Sequence, residues 1–253
     1  MKYNNKYFDE QFVNYSQQYG NGWGMNWRAY MKLRMHPAMN SVKEIISKKE
    51  KCTILEVGCA TGDFIDTILE SIRDSEGKIV GADISDIAIS ICKEKYRKYK
   101  CIEFVNVQLP CLEYKNEFDC VICMDVLEYF DLKGQDKCVQ NLVECLKIGG
   151  KLVLQLPLGM GNEKAILEIV EKKMKIQSVD YVYGKIWFTF FEKTLVLLVN
   201  TLLVNKKLGV LGAIIGRGAY KICASIKLVE NVFKFNKKYF PNKKSHIVIT
   251  ATK

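Results

Sequence analysis

Ile54-Leu55-Glu56-Val57-Gly58-Cys59-Ala60-Thr61-Gly62-Asp63-Phe64 is the stretch whose reading decides the fold. A short β-type apolar run enters a glycine turn, and an amphipathic run follows. Gly58 lets the backbone come close to a ligand with no Cβ in the way, and Gly62 allows a tight turn into the helix. The spacing is Gly-x-x-x-Gly, which differs from the Gly-x-Gly-x-x-Gly of dinucleotide folds. A pyrophosphate would want the third glycine and a helix N-terminus free of carboxylate. Glu56 before the turn and Asp63 after it disfavour a phosphate. They suit a cofactor that carries a cationic amino group and a sulfonium.

Downstream, short β-rich runs alternate with longer amphipathic ones. Strands are expected at 53–57, 78–82, 102–107, 119–124 and 151–156, and helices at 63–73, 86–99 and 135–146. Lys147-Ile148-Gly149-Gly150 reads as a turn between the last helix and the last of these strands. Such alternation makes a parallel, doubly wound sheet. Asp83, in Val80-Gly81-Ala82-Asp83-Ile84-Ser85, ends the second strand where a carboxylate accepts hydrogen bonds from two ribose hydroxyls. Further on, 162–174 reads as a helix, and 176–183 and 245–252 as strands. The segment 184–244 between those two strands is longer than an ordinary connection. Its apolar runs at 186–191, 194–204 and 208–215 fall short of the roughly 18–20 residues that span a bilayer. Upstream, residues 1–50 begin polar, with no signal-peptide apolar core. Asn40 or Ser41 is the expected cap of a helix ending near Lys48. The chain thus divides into an N-terminal lid (1–50), a core (51–183), a basic, apolar, helical insertion that caps the acceptor (184–244), and a final core strand (245–253).

The 253 residues are 49% apolar with four prolines, enough for one large α/β core and too apolar for disorder. The formal charge is +10. Eleven lysines and Arg217 against Glu192 and Glu230 place all of that excess between Lys185 and Lys244. Such a patch meets an anionic partner or faces water. Ten cysteines are scattered through apolar runs, which fits a reducing cytoplasm better than a disulfide framework. Cys120-x-x-Cys123 lies inside a strand, with no second pair or histidine cluster to complete a metal site, so no metal is expected.

The motifs resemble those of class I S-adenosylmethionine-dependent methyltransferases. Glu56 to Phe64 resembles their first motif, Gly81 to Ser85 their ribose-binding strand end, Glu117 to Tyr129 their fourth-strand motif, and Leu146 to Leu152 the turn before their fifth strand. The resemblance implies a Rossmann-like, seven-stranded sheet, mostly parallel with an antiparallel last strand. It implies S-adenosylmethionine as cofactor, with Glu56, Gly58, Cys59, Ala60, Gly62, Asp83, Ile84 and Met124 around it. The third strand ends Val105-Asn106-Val107-Gln108 without the acidic residue of many relatives, which leaves Asn106, Val107 and Gln108 for the adenine. Tyr129 stands where the family commonly has histidine.

Methyl transfer from a sulfonium needs mainly orientation, and a base only where the acceptor loses a proton. Asp125, Glu128, Tyr129 and His36 are the catalytic candidates. His36 precedes Pro37 ahead of the expected helix, where capping is the competing role. Tyr15, Tyr19, Trp23 and Trp27 resemble the lid of small-molecule methyltransferases, with Arg28 or Arg34 for a carboxylate or an anionic acceptor. The expected substrate is a small anionic molecule methylated on oxygen or nitrogen. Segments 175–198 and 246–250 resemble methyltransferases of bacterial surface-polysaccharide clusters, which points to nucleotide-linked or phosphorylated sugars. Contact with a membrane surface, from the cytoplasmic side, is a further expectation. The rival readings are an RNA or membrane-lipid methyltransferase and a non-catalytic cofactor-binding scaffold. No RNA-binding module or DNA amino-methyltransferase motif stands in the chain, which argues against nucleic acid.

Overall fold

The structure, a computed structural model, describes residues 4–19, 29–49, 51–73, 77–158, 163–194, 198 and 209–253. Helices α1 (Asn5–Tyr19) and α2 (Ala29–Ser47) precede β1 (Thr53–Val57), α3 (Asp63–Arg73), β2 (Lys78–Asp83), α4 (Asp86–Lys95) and β3 (Ile102–Asn106). Then come β4 (Phe118–Met124), a 3-10 turn (Leu127–Tyr129), α5 (Leu132–Cys145), β5 (Leu146–Pro157), α6 (Glu163–Glu171) and β6 (Lys175–Val182). A π-helical turn (Trp187–Glu192), α7 (Gly209–Ala224), α8 (Ile226–Tyr239) and β7 (His246–Thr252) complete the chain.

The seven strands form one sheet in the order β3-β2-β1-β4-β5-β7-β6. Strands β1 to β5 pair in parallel. Strand β7 runs against β5: the Gly149 N–H donates to the Lys253 carbonyl and the Lys253 N–H to the Gly150 carbonyl. The strand order reverses between β1 and β4, and ligands of open α/β sheets bind at the carboxyl ends of such strands. The central strands are buried on both faces, as parallel strands covered by helices must be. Cys120 and Cys123 are buried free thiols of that core.

The chain separates into two compact units. The first holds residues 1–24, 37–180 and 247–253, and the second residues 25–36 and 181–246. In the second unit, Ala29, Tyr30, Met31, Leu33, Trp187, Cys223 and Val229 form a buried cluster of their own.

Several expected boundaries move. No helix starts at Asn40 or Ser41: α2 begins at Ala29 and carries Pro37 in its interior. Ser41 instead accepts a hydrogen bond from Thr250 Oγ1 on β7 at 3.1 Å. Proline removes one donor from the ladder, but Ala38 and Val42 beside it are fully buried, and that packing outweighs the loss. Helix α5 starts three residues before the expected point, because the Asp131 side chain caps it by accepting from the Gly134 N–H at 2.8 Å. Strand β5 starts at Leu146 and absorbs the Lys147–Gly150 turn, with Gly149 at φ +75° and an irregular register opposite Phe118–Cys120. The run at 208–215 falls within α7. Most of the run at 194–204 lies outside the described residues.

Candidate functional site

Register decides which side chains meet. In a parallel sheet, paired residues share a face and residues two apart along a strand return to it. Glu56 pairs with Gly81 and with Ile122. Two residues on, Asp83 and Met124 lie on that same face, and Met124 pairs with Gln155. Glu56, Asp83, Met124 and Gln155 therefore line one face of the sheet toward its carboxyl edge, at the point where strand order reverses.

The loop after β1 is shaped by backbone more than by side chains. Gly58 and Gly62 both sit at φ +80°, and Ala60 at φ +48°. The Gly58 and Cys59 N–H groups donate to the Ala82 carbonyl at 2.7 and 3.1 Å, which ties the loop to β2. A Cβ on Gly58 would run into the Val126 side chain. A Cβ on Gly62 would stand 2.6 Å from the Tyr96 ring, whose hydroxyl lies 2.6 Å from the Gly62 carbonyl.

Asp83 clamps the same loop. One carboxylate oxygen accepts from the Ala60 N–H and the other from the Ser85 N–H, each at 2.9 Å. Burial pushes its pKa up, against the backbone donors of Ser85, Ala60 and Ile84 that stabilise the anion. Glu56 is the more extreme case. It is 3% exposed, and its Oε2 is buried without a hydrogen-bond partner. Burial first, then the neighbouring Cys92 thiol and the carboxylates of Asp63, Asp83 and Asp66, push its pKa well above the ordinary range. Burial and like charge both favour the neutral form of this carboxyl.

The loop after β4 carries the acceptor-side candidates. Asp125 takes φ +55°, an uncommon conformation for a non-glycine residue, and its N–H donates to the Gln155 carbonyl at 2.9 Å. Glu128 and Tyr129 are half-buried on the 3-10 turn. The buried Gln135 amide braces this turn by donating to the carbonyls of Leu127 and Phe130 at 3.0 and 3.3 Å. Among the adenine candidates, Asn106 is exposed and donates to the Ile84 carbonyl at 2.9 Å. Val107 is half-buried, and its N–H donates to the Asp83 carbonyl at 2.9 Å.

Helix α1 covers this loop. Phe8 and Phe12 are buried with Ala88, and Ala60, Ile84, Ile87 and Tyr129 pack against them. Asp9 lies 2.5 Å from the Ser85 hydroxyl and accepts from the Ile87 N–H at 3.3 Å.

Sequence reasoning singled out Tyr15, Tyr19, Trp23 and Trp27 in this segment, and passed over Phe8, Asp9 and Phe12. The Phe8/Phe12 pair, one helical turn apart, was the available signal. Trp23, Trp27 and Arg28 lie outside the described residues, as do the side chains of Tyr15 and Tyr19. His36 is exposed in the interior of α2, within the second unit, so the expected place ahead of a helix is corrected. Arg34, in that same unit, lies 3.3 Å from His246 Nε2. Gln155 was also missed: it is 1% exposed, and neither its amide nitrogen nor its oxygen has a partner. Only strand register brings it beside Met124. Among the described residues, no cluster of histidine, cysteine, aspartate or glutamate has the geometry of a metal site.

The sequence profile of the family described as "Methyltransferase domain" matches residues 55–152, from within β1 to within β5. A malonyl-[acyl-carrier protein] O-methyltransferase of Acetivibrio thermocellus is 28% identical over 130 residues, 50% of this chain and 44% of the relative. A ubiquinone biosynthesis O-methyltransferase of Nitrosomonas europaea is 26% identical over 121 residues, 44% of this chain and 46% of the relative. The matched part thus spans less than half the length of these curated relatives. Among solved structures, the N-methyltransferase NodS of Bradyrhizobium japonicum with S-adenosylhomocysteine superposes with a TM-score of 0.55 at 16% identity, covering 68% of this chain and 90% of its own. The [4+2]-cyclase SpnF superposes with a TM-score of 0.55 at 17% identity, covering 85% and 80%. Residues 55–152 thus match a methyltransferase domain, and the sheet has the Rossmann-like fold of these solved structures.

Proposed function

We propose that the protein transfers a methyl group from S-adenosylmethionine to an oxygen or nitrogen of a small anionic acceptor. The observation that carries this is the buried Glu56 carboxyl, unpartnered at Oε2 and pushed up in pKa, on the same sheet face as Asp83. The cofactor's amino group and sulfonium are cations and supply what that carboxyl lacks. When bound, the cofactor supplies an electrophilic methyl group. The residues of the chain do the rest. Gly58, Cys59, Ala60 and Gly62 offer a backbone cradle. The lone pairs left on Asp83 take the ribose hydroxyls. Ile84, Asn106, Val107 and Gln108 border the adenine, and Met124 stands at the edge of the methyl-transfer site. Asp125, Glu128 and Tyr129 orient the acceptor, and a carboxylate of this loop takes its proton where one is lost. Gln155 offers a buried amide to a polar group of the acceptor.

The basic charge between Lys185 and Lys244 favours an acceptor with phosphate, such as a nucleotide-linked sugar or a surface-glycan precursor. The second reading is a different reaction on the same scaffold, since a [4+2]-cyclase shares the fold. Calorimetry with S-adenosylhomocysteine and with NAD tests the cofactor assignment. Binding of the first alone is expected. The Asp83→Ala variant is expected to bind at least about tenfold more weakly, since hydrogen bonds to a charged group contribute about 1.5–3 kcal/mol. A folded variant with unchanged affinity removes Asp83 from the site. A labelled-methyl screen of sugar nucleotides, phospholipids and tRNA then separates the acceptors. Cofactor binding with no transfer to any of them favours the second reading.

A further inference from the structure

Of the seventeen large apolar side chains that stand exposed among the described residues, thirteen lie between Phe188 and Phe240. The same stretch carries nine of the chain's lysines and arginines against Glu192 and Glu230, most of its positive excess. Monomeric proteins rarely expose contiguous apolar patches beyond a few hundred Å² without a partner to cover them.

Helix α8 shows how the two properties are arranged. Val229 and Asn236 are buried, and Val229 packs with Val232 and Phe233 in the core of the second unit. Leu228, Phe235 and Tyr239 follow one another at spacings of seven and four, and so form one stripe along the helix. They are 41%, 50% and 57% exposed. Lys227, Lys234 and Lys238 repeat the same spacing one residue earlier, which puts a lysine row alongside the apolar stripe, about 100° around the helix. Phe235 and Tyr239 meet as tilted rings with centroids 4.9 Å apart, and Lys238 Nζ lies 5.0 Å from the Tyr239 ring. Nearby in the chain, Phe190 is 68% exposed on the π-helical turn, and Val210 and Ile214 are 78% and 62% exposed on α7. A solvated helix would carry its lysines without the apolar stripe. A groove for a protein helix would hide the stripe without needing the lysines. A helix with both, side by side, matches a bilayer interface, where apolar side chains enter the acyl boundary and lysines meet anionic headgroups. No described helix is long and apolar enough to cross a membrane, so the arrangement is one of lying on the surface.

We propose that the second unit docks on an anionic lipid bilayer through α8, with the π-helical turn and α7 adding apolar anchors. The inference does not depend on methyl transfer. It is tested by cosedimentation of the full chain with vesicles of phosphatidylglycerol and phosphatidylcholine, and of phosphatidylcholine alone, across a salt series. Two variants accompany it: Leu228→Gln/Phe235→Gln/Tyr239→Gln and Lys227→Glu/Lys234→Glu/Lys238→Glu. These side chains are exposed, and circular dichroism with S-adenosylhomocysteine calorimetry checks that each variant is folded. The wild-type protein is expected to pellet with the anionic vesicles and to be released as salt rises. The apolar variant should lose at least tenfold in partition at fixed salt, and the lysine variant should lose the salt dependence with the binding. Failure of the wild-type protein to pellet overturns the proposal. So does an apolar variant that binds as wild type, which makes the patch a bare charge, or competition by soluble glycerol phosphate, which makes it an anion pocket. A concentration-dependent dimer that the apolar variant abolishes, with no vesicle binding, assigns the stripe to a second copy instead. In every case the calorimetry reports on the cofactor site separately.

Discussion

Gly58 combines two demands, a φ of +80° and no room for a Cβ beside Val126. The crowding comes from the protein's own valine. The two demands separate in a double mutant. Gly58→Ala should lower the melting temperature, and adding Val126→Ala should recover part of the loss. What remains is the left-handed backbone of an alanine, about 1–2 kcal/mol. If the second substitution recovers nothing, the valine is not the obstacle. Glu56 allows a prediction in pH. Its pKa in the free protein is raised by burial and by its acidic neighbours, so charging it in the fold is unfavourable. The sign follows: its contribution to stability is full below the ordinary carboxyl range and is lost as pH rises through the raised value. A bound cation reverses the preference and releases the proton. Binding of S-adenosylhomocysteine should therefore strengthen with pH up to that raised value and release protons, as read by calorimetry in buffers of different ionisation enthalpy. Glu56→Gln should flatten the dependence and release none. Equal proton release by both proteins would place the cation elsewhere.

Among the described elements, α1 closes over the loop after β1. It is held by Phe8 and Phe12 and by Asp9 on the N-terminus of α4. Ser85, fully buried there, caps α4 by accepting from the Ala88 N–H at 3.1 Å and also meets Asp9. The Phe12 side chain is 2% exposed, so truncating it removes about 3–5 kcal/mol of packing in a core setting. Phe12→Ala is expected to speed amide exchange throughout α1 and in the segment 58–62, and to weaken S-adenosylhomocysteine binding several-fold. Faster exchange in α1 with the loop and the affinity unchanged would mean that the helix covers the site without shaping it. Phe8 and Phe12 were hard to pick out in the sequence of α1, because its apolar residues are few and its polar ones many.

For the whole molecule, acid stability has an identifiable centre at the opposite edge of the sheet. Asp119 opens β4, is 4% exposed, and receives Lys49 at 2.5 Å, Lys147 at 3.0 Å and both the N–H and the hydroxyl of Thr53. Burial raises its pKa, but the hydrogen bonds from Lys49, Thr53 and Lys147 outweigh burial and bring it well below the ordinary carboxylate range. A depressed carboxylate stabilises the fold above its unfolded pKa and loses that contribution as pH falls through the folded one. Wild-type stability should therefore decline below about pH 4, the ordinary aspartate value. Asp119→Asn should be less stable at neutral pH and should lose less on acidification. Each charge-assisted bond contributes about 1.5–3 kcal/mol, and the half-exposed lysines hold the loss to the lower end. Parallel denaturation curves at neutral and acid pH for the two proteins would assign the acid response to other carboxylates.

The sequence by itself determined the sheet and the glycine loop after β1. Thr53–Val57 followed by Gly58 and Gly62, then Asp83 at the end of β2, are local signals: each needs only the periodicity of one element and the conformation of one turn. The strand-to-helix alternation then leaves few topologies, and the observed order β3-β2-β1-β4-β5-β7-β6 is among them. Tertiary structure alone decided the partners. That Gln155 stands beside Met124 depends on strand register. That Ser85 meets Asp9 depends on where α1 docks. That α2 runs through Pro37 depends on burial of Ala38 and Val42, which local propensity cannot weigh. The exposed stripe of α8 had the same fate. Its lysines were visible in the charge count, but which of its apolar residues face outward was fixed only once Val229 and its neighbours were buried. Long-range packing sets these choices, and it is not written in any single window of the chain.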